Sequence, residues 1–139
     1  MKKKIYYHPQ PSDLEELYAQ YCFESDNSII TLDKRDVNSV ALHATLLFSY
    51  SFTGTGECAI RETFESLVSA FVGENICAAD KVLMRIVCKG GILFGCEGKH
   101  QLEAIMAKFN PDTSFKFGID EKKSSEKEVD IFVLVSINS

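Results

Sequence analysis

Two aspartates three residues apart are the strongest candidates for chemistry in this sequence. Asp33 and Asp36 lie in the stretch Ile29–Asp36 (IITLDKRD), after a β-branched apolar run and before a short amphipathic segment. The spacing puts both carboxylates on one side of a first helical turn, where they could face the same partner. The simpler structural interpretation is that Asp33 is a helix N-cap and Asp36 a first-turn acid that interacts favourably with the helix dipole.

A glycine-rich stretch offers a second candidate site. Phe52–Glu57 (FTGTGE) lies between a predicted strand and a predicted helix, where backbone amides could bind an anion. The stretch lacks the lysine and hydroxyl of a phosphate-binding loop, and it lacks the glycine spacing of a dinucleotide fingerprint. A strand-to-helix turn capped by Thr55 explains the pattern equally well.

The cysteines and histidines do not form a metal-type pattern. The chain has five cysteines, an odd number, and they are widely spaced: Cys22, Cys58, Cys77, Cys88 and Cys96. The residues Cys96, Glu97, Lys99 and His100 are close in sequence, but nothing places a nucleophile beside a base and an orienting acid. We therefore expect no disulfide framework, no metal and no cofactor bound by this chain alone.

Length and composition limit the class of protein. A chain of 139 residues with 45% hydrophobic residues fits one globular domain. The net charge of −5 argues against a nucleic-acid partner, which requires a basic surface. No segment has the ~20 apolar residues needed to span a bilayer, and no signal peptide is evident, so we expect a cytoplasmic protein without a membrane partner.

The N-terminal 28 residues read as an extension that precedes the candidate loop. Lys2–Lys4 resembles a solvated basic tail. Ile5–Tyr7 is a short β-prone segment that ends before two prolines, and it predicts either an edge strand or an ordered tail. Ser12 is the predicted N-cap of a helix, with Glu15 completing a capping box. Residues 24–28 are polar and predict a turn that leads to the candidate loop.

The remainder predicts an α/β scaffold. From Ala44 onward, the periodicity gives the order strand, helix, strand, helix, strand, strand. Lys81–Lys89 reads as a strand covered on both faces, Gly95–Gly98 as a loop, and the charged stretch Glu121–Lys127 as a hairpin loop. We predict a two-layer fold with a four-stranded mixed sheet and two main helices on one face, plus an N-terminal helix and a short helix after the candidate loop.

Read in order, these motifs resemble the C-terminal domain of FtsZ, the bacterial relative of tubulin. The motifs are IITLDKRDV, the long stretch VNSVALHATLLFSYSFTGTGE, an amphipathic helix, a buried strand, and FGIDE before the last strand. The resemblance covers Ile29–Ile137, so we divide the chain into an extension at residues 1–28 and an FtsZ C-terminal-like domain at residues 29–139.

The resemblance implies a role for the loop. In the FtsZ family this loop enters the nucleotide pocket of the next subunit of a filament, where its acids help to position the water that attacks GTP. Asp33 and Asp36 match those acids, and the interaction loop comprises Thr31, Leu32, Asp33, Lys34, Arg35 and Asp36. Thr31 stands where the family has asparagine, a departure that argues against efficient hydrolysis.

The resemblance also implies that the family's nucleotide-binding domain is missing from this sequence. The family's nucleotide-binding domain, with its GGGTGTG signature, should precede this region, where only about 28 residues are present. We expect a stand-alone domain that binds no GTP by itself, although GTP could be bound through a partner subunit.

Three hypotheses remain open at this point. The first is an interaction module, in a cell-division or cytoskeletal setting, that docks on the nucleotide face of an FtsZ-like or tubulin-like partner and modulates or caps its polymer. The second is one half of a composite GTPase, to which Asp33 and Asp36 contribute in trans. The third is a reused scaffold that binds a small molecule or an unrelated protein. Self-association is compatible with each of them.

Overall fold

The computed structural model describes residues 1–22, 28–74 and 79–137. Its elements, in chain order, are β1 (Lys2–Tyr7), α1 (Pro11–Tyr21), β2 (Ser28–Ile30), α2 (Lys34–Ala41), β3 (Leu46–Thr55), α3 (Ala59–Glu74), β4 (Lys81–Lys89), α4 (Gly95–Met106), β5 (Ser114–Lys122) and β6 (Glu128–Ile137).

The strands that the structure describes form one mixed six-stranded sheet in the order β1-β3-β6-β4-β5-β2. Strands β4 and β5 are parallel, and every other neighbouring pair is antiparallel. From β3 onward the element order is the predicted one, and the predicted α/β class is confirmed.

The sheet has more strands, and the fold one more layer, than the sequence predicted. The four predicted strands are the inner strands β3, β6, β4 and β5, and the short strands β1 and β2 extend the sheet at its two edges. The predicted two layers become three, because α1 and α2 cover the face of the sheet opposite α3 and α4. Lys2–Lys4, predicted as a solvated tail, belongs to β1 and pairs with β3.

The larger core lies between the sheet and the helices α3 and α4. We call this side the α3/α4 face. In β4, alternate residues from Val82 to Cys88 point into this core, and Tyr50 of β3 packs edge-on against Phe71 of α3, with ring centroids 5.7 Å apart. Cores of this kind supply most of the free energy of folding, at about 25 cal/mol per Å² of apolar area buried.

The smaller core lies on the opposite side, which we call the α1/α2 face. Leu83 of β4 and Leu134 of β6 pack there against α1 and α2. Helix α2 has only eight residues, and it buries Val37, Val40 and Ala41 against this core. A helix of that length is not stable in isolation, so packing on the sheet determines where the candidate loop lies.

Two predicted helix boundaries were wrong. Helix α1 begins at Pro11 rather than after Ser12, and Asp13 rather than Glu15 accepts a hydrogen bond from the Gln10 amide at 2.8 Å. Proline favours the first helical position because its φ angle is already helical. Gly95–Gly98, predicted as a loop, is the first turn of α4.

The predicted hairpin between β5 and β6 was also wrong. Strand β4 lies between them, so the connection crosses the end of β4 instead of closing a hairpin. The connection between β5 and β6 contacts Gly90, whose amide donates to the Lys122 carbonyl at 3.2 Å. A Cβ on Gly90 would lie 2.2 Å from the Glu126 carbonyl oxygen, and its φ is +71°, so both the approach and the conformation require glycine.

Some predictions lie outside the described residues. These are most of the turn predicted at residues 24–28, most of the connection predicted at residues 74–80, and Cys77. The division of the chain after residue 28 stays a prediction. No helix within residues 1–22, 28–74 and 79–137 is long and apolar enough to cross a membrane.

We expect Gly90→Ala to destabilise the protein much more than Gly91→Ala. Both glycines have positive φ, at +71° and +85°, so both substitutions strain the backbone, by about 1–2 kcal/mol. Only Gly90 has a described backbone atom in the way of a Cβ, which adds about 1–3 kcal/mol of overpacking. Urea unfolding of the two variants measures the difference. Equal losses would contradict a tight crossing at Gly90.

Candidate functional site

The candidate loop follows the edge strand β2 and is anchored by one apolar residue. Leu32 is fully buried, and it lies against Gly118 of the neighbouring strand β5. A Cβ on Gly118 would come within 2.6 Å of Leu32 Cγ, so glycine makes this close approach possible. Leu32 therefore fixes the loop to the sheet through packing, while the residues on either side of it face outward.

A capping box closes the loop onto α2. The Asp33 carboxylate accepts hydrogen bonds from the amides of Arg35 at 2.9 Å and Asp36 at 3.2 Å. In return, the Asp33 amide donates to Asp36 Oδ2 at 2.8 Å. The structural interpretation of the two aspartates is thus confirmed: Asp33 is the N-cap of α2, and Asp36 is the third residue of its first turn.

The two acids differ in accessibility. Asp36 is 9% exposed, and its second oxygen accepts from the ammonium of Lys116 on β5. Both of its carboxylate oxygens are therefore bonded within the chain. The Asp33 side chain is 50% exposed, and its Oδ2 lies 3.3 Å from a guanidinium nitrogen of Arg35.

The hydrogen bond from the Asp36 amide, aided by Arg35, lowers the pKa of the Asp33 carboxyl. A carboxylate with a lowered pKa is a weak proton acceptor, because its charged form is already stabilised. Asp33 can therefore orient a polar group by hydrogen bonding, but it is poorly suited to act as a general base at neutral pH.

The outer surface of the loop carries mostly basic charge. Arg35 is highly exposed, with 92% of its side chain accessible. Lys34 is also exposed, and its ammonium lies 5.2 Å from the ring centroid of Tyr18 on α1. The six loop residues thus divide into two sets. Leu32 and Asp36 point inward, and Thr31, Asp33, Lys34 and Arg35 face solvent.

Sequence reasoning missed Lys116. It alternates with Phe115 and Phe117 in a strand pattern, which could not indicate that it meets Asp36, 80 residues earlier in the chain. The pairing of β5 with β2 and the packing of α2 on the sheet bring the two side chains together.

The glycine-rich stretch does not form an anion-binding loop. Residues Phe52–Thr55 belong to β3 and pair with β6 up to Glu128, so their backbone groups take part in the sheet. The Gly56 amide donates to the Lys127 carbonyl at 3.0 Å. The stretch therefore extends the strand before α3 begins at Ala59, and β3 is longer than the sequence predicted.

The reactive residue types near Gly95 lie on the exposed side of α4. Cys96, Glu97, Lys99 and His100 fall within two turns of the helix, with the buried Gly98 between them, and all four are exposed. Residues three or four apart share a side of a helix, so Cys96 and Glu97 both neighbour His100, but these side chains lie in solvent and not in an enclosed site. In the part of the chain that the structure describes, no group of three or more histidine, cysteine or acidic side chains could hold a metal ion.

Comparisons with known proteins concern the fold. No protein-family model matches the sequence, and no curated protein matches it. Solved structures do match. One is a dimer of FtsZ from M. jannaschii, with TM-score 0.65 and 14% sequence identity, and the matched region covers 81% of this chain and 33% of the FtsZ chain. The GDP-form protofilaments of TubZ from Bacillus thuringiensis serovar israelensis give TM-score 0.61, 12% identity and coverage of 90% and 33%.

Structural similarity at 12–14% sequence identity shows the fold of this chain alone. The chain spans about a third of the length of the FtsZ and TubZ chains that it resembles. The predicted resemblance to FtsZ is confirmed at the level of the fold, and a match to one third of those chains is consistent with the predicted C-terminal domain.

Asp33→Ala should lower the melting temperature by about 3–4 °C, the usual effect of losing an N-cap in a protein of this size. Asp33→Asn should retain most of that stability, since asparagine caps helices nearly as well. Thermal unfolding followed by circular dichroism measures both variants. Equal losses in the two variants would mean that the charge of Asp33, rather than its capping oxygen, stabilises α2.

The charge of Asp33 predicts a pH dependence. The folded-state pKa of the Asp33 carboxyl lies below its usual value of 3.8, so the charge contributes stability above that pH. The contribution is lost as the pH falls through the folded-state pKa. We therefore expect Asp33→Asn to melt slightly below the unsubstituted protein at pH 7 and at the same temperature under strongly acidic conditions. A difference that grows on acidification would contradict the assigned direction.

Proposed function

We propose that this chain is a protein-interaction module that docks its loop, residues 31–36, on the nucleotide-binding face of an FtsZ-like or TubZ-like partner and so modulates or caps the partner's polymer. The observation that carries the proposal is the pre-organised loop: Leu32 and the capping box fix its backbone, while Asp33, Lys34 and Arg35 face solvent.

Rigidity supports a docking role because a loop already held in one conformation loses little conformational entropy on binding. The FtsZ-like fold supports the choice of partner, since the TubZ structures with this fold are named as protofilaments. Filaments grow through heterologous contacts, in which one face of a subunit meets a different face of the next. A module that occupies one of those faces would prevent the addition of a further subunit there.

A second candidate function is favoured by the exposure of one acid. Asp33 remains half accessible beside Arg35, so in trans it could orient a water molecule near GTP bound by the partner. Asp36 is less suited to that role, because Lys116 and the Asp33 amide engage both of its oxygens. In this composite GTPase the partner would supply the nucleotide site, and this chain would supply Asp33, with Asp36 keeping its geometry.

We expect the purified chain to reduce the pelletable polymer of M. jannaschii FtsZ or of B. thuringiensis TubZ in the presence of GTP. Arg35→Glu should abolish the effect, since it reverses a highly exposed charge of the loop. Arg61→Glu, an equivalent change on the exposed side of α3, is the matched control and should act like the unsubstituted chain. Polymer that is unchanged by the unsubstituted chain, with no binding by sedimentation, would contradict the proposal.

GTP turnover of the same mixtures separates docking from catalysis. Docking alone predicts that Asp33→Asn reduces polymer as the unsubstituted chain does, with no stimulated turnover in either case. A composite GTPase predicts stimulated turnover that falls about 10-fold or more in Asp33→Asn, with binding unchanged. Asparagine is used because it preserves the helix cap, so any loss reports on the carboxylate and not on the fold.

A further inference from the structure

Strand β1 forms one edge of the sheet. Among the described residues, no strand lies beyond it in the sheet order. It pairs with β3 from Lys2 opposite Ser51 to Tyr7 opposite Leu46, and the His8 amide continues the ladder by donating to the Thr45 carbonyl at 3.0 Å.

The direction of the backbone groups follows from that last hydrogen bond. In an antiparallel pair, alternate residues exchange both backbone bonds with the partner strand, and the residues between them point their backbone groups away. Since His8 bonds inward, the even-numbered residues of β1 face β3. The amide and carbonyl groups of Ile5 and Tyr7 therefore point outward, away from the sheet.

The same two residues expose apolar side chains. Ile5 is 40% and Tyr7 73% exposed, and both project on the α3/α4 face, where Ile5 lies directly opposite the partly buried Phe48. Outward-pointing backbone groups beside exposed apolar side chains are the features by which an edge strand accepts a further strand.

We propose that the further strand is β1 of a second copy of this chain, paired antiparallel about a two-fold axis at Ile5. This register places Ile5 opposite its counterpart, Tyr7 opposite Lys3 and Tyr6 opposite Lys4 of the other copy. Each outward-pointing residue then meets an outward-pointing residue, as an antiparallel ladder requires. The two six-stranded sheets become one continuous sheet.

Charge disfavours registers centred nearer the N-terminus, and an axis at Tyr6 or beyond would pair fewer residues of β1. Strand β1 begins with three lysines, and lysine-rich edges usually oppose pairing. A two-fold axis at Lys4 would set two lysines directly opposite each other. With the axis at Ile5, no lysine within residues 2–8 faces another lysine, and Lys3 meets an aromatic ring, a favourable cross-strand partner for a cation. Lys4, the lysine nearest its own counterpart, is neutralised by Glu16, whose oxygen lies 2.7 Å from its ammonium.

The pairing should be reversible. One pair of six-residue strands buries less surface than the roughly 1,600 Å² of a standard interface, so the dimer should form in a concentration-dependent way. The surface lies on the edge strand β1, whereas the candidate docking loop follows β2 at the opposite edge of the sheet. Self-association through β1 is therefore independent of the docking proposed for the loop.

Sedimentation velocity over a wide range of protein concentration tests the proposal. We expect the unsubstituted chain to shift from monomer towards dimer as the concentration rises. Ile5→Pro removes only an amide that points away from β3, so the fold should persist, while the dimer dissociation constant should rise at least about 10-fold. Circular dichroism and the melting temperature confirm that the variant is folded.

A charge exchange tests the register. Tyr7→Lys sets two lysines opposite each other at two symmetric positions and should also give a monomer. Adding Lys3→Glu to Tyr7→Lys replaces both repulsions by ion pairs and should restore the dimer. Leu42→Lys, a similar change at an exposed position at the end of α2, is the control and should dimerise normally.

Two outcomes would overturn the proposal. A chain that remains monomeric at every concentration has no such contact, even if its edge accepts a strand from another protein. A dimer that persists in both Ile5→Pro and Tyr7→Lys uses a different surface. Arg35→Glu should leave the dimer unchanged, so failure of the loop proposal and failure of this one can be distinguished.

Discussion

The structure depends on burying both faces of β4. This strand lies inside the sheet, between β5 and β6, and its residues from Val82 to Cys88 are apolar on both sides except at Arg85. A strand of this kind requires a layer of helix on each face, because apolar area left in water costs about 25 cal/mol per Å². Helices α3 and α4 supply one layer, and α1 and α2 supply the other.

The position of the candidate loop follows from that requirement. Helix α2 is short and gains its stability from docking against Leu83 and Leu134. Because α2 is fixed on the sheet, the capping box at its start is fixed too, and Leu32 anchors the segment that enters it. The loop is rigid as a consequence of core packing, which is why its exposed charges have defined positions.

The charges of the loop are arranged so that the acids serve the fold and the bases face outward. Asp36 is engaged by the Asp33 amide and by Lys116, and Asp33 caps α2 while remaining half exposed. Arg35 projects into solvent, and the Lys34 ammonium lies over Tyr18. A partner would therefore meet guanidinium and ammonium groups first, with a single partly accessible carboxylate between them. This arrangement fits recognition of a polar surface better than proton transfer.

The sequence by itself determined the features that depend on neighbours in the chain. Periodicity gave the order of elements from β3 onward, the two-sided burial of β4 and the capping role of Asp33 and Asp36, since these follow from side-chain spacing and local hydrogen bonds. Tertiary structure alone decided the features that depend on strand order. The insertion of β4 between β5 and β6 turned a predicted hairpin into a crossing and made Gly90 necessary. The pairing of β2 with β5 and the packing of α2 brought Lys116 to Asp36, and pairing with β3 made Lys2–Lys4, predicted as a tail, part of the edge strand β1. Such contacts join residues far apart in the chain, and local pattern carries no information about which distant strand becomes a neighbour.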